Sequence, residues 1–168
     1  MTLNVEIAIE SDAWDKADDL ESMTTRAILT AGEILQTKLR EGAEVSVLFT
    51  NDVSVRALNK AWRKQDKPTN VLSFPAAKPG DLASAALLGD IILAFETISA
   101  EADDQGKSLS DHVTHLVVHG FLHLLGHDHE VEDEAVAMEA SEVKILAKLG
   151  IADPYAEPAS QLGRGHEL

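Results

Sequence analysis

The stretch HGFLHLLGHDH, residues 119–129, constrains this chain more than any other. It holds four of the seven histidines. On a helix, His119 and His123 stand four positions apart and project from one face on neighbouring turns. Gly126 then lets the backbone reverse, so that His129 can return to meet them. Three imidazoles converging on one point suit zinc, with Zn–N about 2.0–2.1 Å and a fourth position open for water. Three protein ligands in place of four is the catalytic arrangement, because an open position can hold a water whose pKa drops to about 7. Capping of helix-end carbonyls explains one histidine. It does not explain the spacing H-x-x-x-H-x-x-G-x-x-H.

The other histidines carry less. His112 and His115 lie on the same stripe, but one helix cannot easily aim four successive turns at a single ion. Their expected part is at most a hydrogen bond that orients a ligand. His127 and Asp128 sit inside the reversal. Asp128 either receives the second ring N–H of a ligand, takes a proton, or caps the turn. His166, two residues from the C-terminus, reads as exposed filler.

The same spacing is used by a large group of zinc peptidases, which place a glutamate general base directly after the first histidine. Here that position is Gly120, which cannot move a proton. The chain keeps the metal pattern and lacks the base for peptide hydrolysis. Phosphodiester cleavage is less demanding of a carboxylate there, since a metal and a cation can handle the developing charge.

Periodicity supplies the frame. Leu3, Val5, Ile7 and Ile9 alternate with polar residues, so residues 2–10 read as a half-buried strand. Helical spacing follows from Ala13 to Leu39, ended by Glu41-Gly42. Val45-Val47-Phe49 is a second strand. Asp52 is expected to cap a helix with Val55, Leu58, Asn59 and Trp62 inward, stopping before Pro68. Val71 to Phe74 is short and apolar, residues 76–88 read as a loop, and Asp90 to Phe95 is a buried strand. Ser108 or Ser110 caps a long apolar helix through Leu125. Residues 131–149 form an acidic amphipathic helix with Val136, Val143, Ile145, Leu146 and Leu149 as inner positions. The sum is an α+β domain: a small mixed sheet of about four strands covered by helices, with a zincin-like helix-turn metal site. At 168 residues the chain is long enough for one real core, placed in residues 1–150, with residues 151–168 a frayed, flexible tail.

Charge restricts the partners. The net charge is −15, whereas nucleic-acid binding normally leaves a basic footprint. The distribution is uneven. Between Asn51 and Asn70 stand Arg56, Lys60, Arg63, Lys64 and Lys67 against Asp52 and Asp66. An anionic substrate is therefore steered to one patch on a repelling surface, unless these lysines only solvate a helix face. Cysteine is absent, which excludes zinc-thiolate sites and dependence on an oxidising compartment. No apolar run approaches the roughly 20 residues of a membrane span, and the acidic N-terminal stretch is unlike a signal peptide. A soluble, cytoplasmic protein is expected, with no membrane partner.

Residues 58–75, LNKAWRKQDKPTNVLSFP, followed by Gly89-Asp90-Ile91 and by HGFLHLLGHDH, resemble the YbeY family of bacterial single-strand-specific endoribonucleases, the rRNA maturation factors. The resemblance spans roughly residues 45–147 with the motifs in matching order. It implies an α+β fold around a mixed sheet of about four strands. It also implies His119, His123 and His129 as metal ligands, Arg63 as a functional arginine near the metal, and a role in small-subunit rRNA 3′-end processing and ribosome quality control. Two positions depart from the family's usual pattern. His127 stands where tyrosine is usual, and Asn70 where aspartate is frequent, removing a negative charge near the basic patch.

The expectation that follows is a metal-dependent endoribonuclease. One Zn2+ on His119, His123 and His129 activates water or a 2′-hydroxyl, and Arg63 stabilises charge on the phosphate through bidentate donors. Lys60, Lys64 and Lys67 add backbone affinity. Trp62 is expected in the core rather than as a base-stacking platform. The partners are single-stranded RNA and rRNA, not DNA, and the acidic surface suggests a ribosomal protein that assists substrate choice. The competing readings are a zinc peptidase whose base is Asp128 and a non-catalytic ribosome-associated module with a structural metal.

Overall fold

The computed structural model describes residues 2–127 and 131–156. In chain order these form β1 (Asn4–Ile9), α1 (Leu20–Leu35), β2 (Glu44–Thr50), α2 (Asp52–Arg63), β3 (Val71–Pro75), β4 (Leu87–Ala94), α3 (Phe95–Gln105), α4 (Leu109–Leu124) and α5 (Glu132–Lys148). The strands make one mixed sheet in the order β1-β2-β4-β3. β1, β2 and β4 run parallel, and β3 pairs antiparallel with β4 at the edge. The class is α+β with a mixed four-stranded sheet, as the sequence indicates.

Alternation along the strands divides their side chains between two faces. Val45, Val47, Phe49, Ile91 and Leu93 are essentially fully buried and share the main core with α1, α4 and α5. Leu72, Ile92 and Ala94 join Val55 of α2 in a smaller cluster. Trp14 closes one end of the core. Its Nε1–H donates to the Thr50 carbonyl at 2.8 Å, and its ring stands edge-on to Phe49 and Phe95.

Several elements differ from the sequence reading. The helical spacing from Ala13 to Leu39 is not one helix. A 3-10 turn, Asp12–Lys16, precedes α1, and extended Ala17 and left-handed Asp19 (φ 49°) separate them. Asn51, not Asp52, caps α2, its Oδ1 accepting from the Ser54 N–H at 2.9 Å. Asp52 instead accepts from the backbone N–H and hydroxyl of Thr97. The stretch read as a loop contains a 3-10 turn, Pro79–Ser84, and the first residues of β4. The strand ends at Ala94, because Phe95 opens α3, a helix absent from the sequence reading. Trp62, expected in the core, is 71% exposed. On α5, Val136 is exposed, and the buried positions are Met138, Glu142, Ile145 and Leu146. No helix among the described residues is long and apolar enough to cross a membrane.

Two features of α4 place the site. Ser108 caps its start, Oγ accepting from the Asp111 N–H at 3.1 Å. Gly120 faces the sheet so closely that a Cβ there would sit 2.8 Å from Ile91 Cγ2 and 3.0 Å from Ser73 Oγ. Glycine at this position lets α4 lie against β3 and β4, and the Ser73 hydroxyl donates to the Gly120 carbonyl at 3.1 Å.

Candidate active site

The C-terminal turns of α4 end in a double hydrogen-bonded reversal. The Gly126 N–H bonds to the His123 carbonyl and the His127 N–H to the Leu122 carbonyl, both at 3.0 Å. Gly126 has φ 93°, so this is the glycine-capped helix end that the sequence indicates. A cavity of about 580 Å³ opens here, bordered by Arg63, Asn70, Ser73, His119, His123 and His127 among others. It lies where the end of α2, the edge strand β3 and the end of α4 meet.

His119 and His123 present their Nε2 atoms to each other at 3.2 Å. Two nitrogens bound to a common tetrahedral ion at about 2.0–2.1 Å lie roughly 3.3 Å apart, so the pair has the spacing of two ligands on one cation. The tautomer fits as well. His119 Nδ1 is 2.5 Å from Glu142 Oε2, and an ionised carboxylate only accepts. Nδ1 therefore carries a proton that it donates to the carboxylate, and Nε2 is the ring atom turned to His123.

Glu142 is fully buried. Burial alone would raise its pKa, but donors from His115, His119 and Tyr155 overcome this and hold it down at about 2. His115 Nε2 lies 2.9 Å from Oε1, and the Tyr155 hydroxyl donates to the same oxygen. The buried charge is thus satisfied from α4 and the segment after α5. Tyr155 lies within the residues expected to be a tail. Its hydroxyl pKa is raised, first by burial and then by its bond to Glu142.

The remaining predicted residues fall as follows. Arg63 borders the cavity; its Nη2 donates to the Ser73 carbonyl at 3.0 Å, and its guanidinium lies 5.6 Å from the Phe74 ring centroid. His127 borders the cavity too, and burial lowers its pKa. His112 is drawn elsewhere, with Nε2 2.8 Å from Glu101 Oε1. Asn70 donates to that same Glu101 carboxylate at 3.0 Å. An aspartate there would set two carboxylates together, so the amide answers a local need beyond any effect on the basic patch. Within that patch, Arg56 is bonded to Asp66 at 2.8 Å, while Lys60, Lys64 and Lys67 are exposed.

Among the described residues, no three His, Asp or Glu side chains converge as a metal site. The third expected ligand, His129, lies outside the described residues, as do Asp128 and His166. Two residues beside the site escaped the sequence reading. Glu142 was hidden by the acidity of its helix, and its one signal is its place on the stripe of Met138, Ile145 and Leu146. Tyr155 gave no signal beyond being the only tyrosine.

Comparison with known proteins completes the picture. A family model described as Endoribonuclease YbeY matches residues 7–150. Among curated proteins, "Endoribonuclease YbeY" of Allorhizobium ampelinum is 49% identical over 160 residues, covering 92% of this chain and 95% of that protein. The protein of the same name from Methylocella silvestris is 45% identical, covering 96% of this chain and 90% of its own length. Among solved structures, the solution structure of TM1509 from Thermotoga maritima superposes with a TM-score of 0.55 at 20% identity, covering 91% of this chain and 99% of that one. That likeness concerns the fold alone.

Proposed function

The chain belongs to the Endoribonuclease YbeY family, and from that premise we propose that it cleaves single-stranded RNA at the cavity between α2, β3 and α4. We further propose that it acts in maturation of the small-subunit rRNA 3′ end and in ribosome quality control. The observation that carries the site is the pair of Nε2 atoms of His119 and His123, 3.2 Å apart and bordering a cavity shared with Arg63.

His119 and His123, with His129, hold a divalent cation, zinc in this reading. When bound, it supplies Lewis acidity toward a phosphoryl oxygen and lowers the pKa of water. The protein's own groups do the rest. Glu142 fixes the tautomer of His119 and keeps its ring from turning. Arg63, tethered at Ser73, offers its other N–H donors to a phosphate oxygen and stabilises negative charge as it develops. Lys60, Lys64 and Lys67 draw the RNA backbone toward this edge of an otherwise acidic molecule. With a net charge of −15, intrinsic RNA affinity is weak, and a ribosomal protein partner supplies the rest.

The peptidase alternative, with Asp128 as its base, lacks the glutamate that zinc peptidases of this spacing place directly after the first histidine, because residue 120 is glycine. The metal-loaded full chain should cleave single-stranded RNA, and His119→Ala should lose metal and cleavage together. A metal-stripped preparation that cleaves at the full rate would overturn the reading. Product ends separate the attacking groups: a 2′,3′-cyclic phosphate marks the 2′-hydroxyl, a 5′-phosphate marks water.

A further inference from the structure

Trp62 occupies a helical position that periodicity assigns to the core, yet its indole is 71% exposed. Leaving so large an apolar ring in water forfeits stabilisation, so its exposure asks for a reason. The ring is braced. It stands edge-on to Phe74, centroids 6.3 Å apart at 61°, and Phe74 is itself half-buried on β3. The Arg63 guanidinium lies 5.6 Å from the same Phe74 centroid and also borders the cavity. One phenyl ring therefore positions both groups, and these two lengths, 5.6 and 6.3 Å, keep indole and guanidinium within about 12 Å of each other. Lys60 and Lys64, both exposed, stand on the same turn of chain. β3 is the edge strand, so among the described residues no further strand separates the cavity from this surface.

An exposed, braced indole among cations is the chemistry that stacks a base while its phosphates are held electrostatically. We propose that Trp62, held by Phe74, is a stacking subsite for a nucleobase of single-stranded RNA lying next to the phosphate engaged at Arg63. The subsite rests on the reading of the cavity as the place of RNA cleavage. It also gives a physical source for strand preference. A base must be unstacked to lie on the indole, and a duplex keeps its bases paired and stacked.

Two tryptophans make the test direct. Trp14 is 2% exposed and hydrogen-bonded in the core, so quenching of tryptophan emission by an added oligonucleotide reports Trp62. The metal-loaded full chain is titrated with a short single-stranded oligoribonucleotide and with its duplex. The single strand should quench emission and the duplex should not. Trp62→Leu should weaken single-strand binding roughly 5- to 100-fold, the weight of one base–aromatic stack, and raise KM with kcat little changed. Trp62→Phe should recover much of the loss. Unchanged emission while the single strand is bound and cleaved, equal quenching by the duplex, or wild-type KM in Trp62→Leu would each overturn the subsite and leave the endoribonuclease reading standing. A wild-type chain that neither binds nor cleaves RNA would overturn both, and that result is read without reference to Trp62.

Discussion

The Nδ1–H of His119 donates to Oε2 of Glu142 at 2.5 Å, joining α4 to α5 through a fully buried carboxylate. Glu142→Gln exchanges an acceptor-only group for an amide that cannot accept from His119, His115 and Tyr155 on both atoms. Metal affinity should fall about 10- to 100-fold, the usual weight of such an outer partner. Chelator competition measures it. An unchanged affinity would show that Glu142 only satisfies its neighbours and leaves the ligand's orientation to others.

Arg63 tests the division of labour between metal and protein. Arg63→Glu should keep the metal content of wild type and lower kcat/KM about 10²- to 10³-fold, the range seen when a charge-stabilising donor is removed. Arg63→Lys keeps the charge but loses the planar fork, and should recover only part of the rate. Metal analysis beside single-turnover cleavage separates the two effects. Loss of metal in Arg63→Glu would move the residue from substrate contact to site structure.

Position 120 sets two effects against each other. Gly120→Ala gains about 1 kcal/mol of helix propensity, but its Cβ would lie 2.8 Å from Ile91 Cγ2, and overpacking of that kind costs about 1–3 kcal/mol. Strain should win, lowering Tm by about 2–4 °C per kcal/mol of net loss. Adding Ile91→Leu, which removes the Cγ2 branch that the new Cβ would meet, should return part of the difference. A Tm above wild type in the single variant would mean that α4 can lift from the sheet at no cost.

His112 links stability to pH. Burial is the largest influence and lowers its pKa from the ordinary 6.5, while its bond to Glu101 works the other way. The unfolded chain therefore takes up the proton first as pH falls. The contribution is present above pH 6.5 and is lost as pH drops below it. The Tm advantage of wild type over His112→Gln should shrink between pH 7.5 and pH 5, by thermal melts of both proteins. A gap that widens on acidification would reverse the sign and show the protonated ring to be the stabilised form.

What the sequence made legible follows from how local each signal is. β1 and β2 are written in period-2 alternation, β3 and β4 as short apolar runs, and the helix-end histidines in four-residue spacing, so the four strands, α4 and the pairing of His119 with His123 could be read directly. α3 could not. Its N-cap is Ala94, which makes no side-chain hydrogen bond, and Ala94-Phe95 continues the apolar run of β4, so no stop or start signal separates strand from helix. Trp62 misled because periodicity names a face of α2 without saying where the sheet beneath it ends. Glu142 is a long-range fact. One acid among many on α5 becomes special only when α5 docks on α4.

That docking has a temporal side. Chains are made from the N-terminus, so His119 and His123 are synthesised before Glu142 and Tyr155. Until α5 settles, the His119 ring has no buried carboxylate to fix its proton. If His119 holds the cation as proposed, firm capture would be deferred until α5 is in place, and a nascent or clipped chain would carry the site only half assembled.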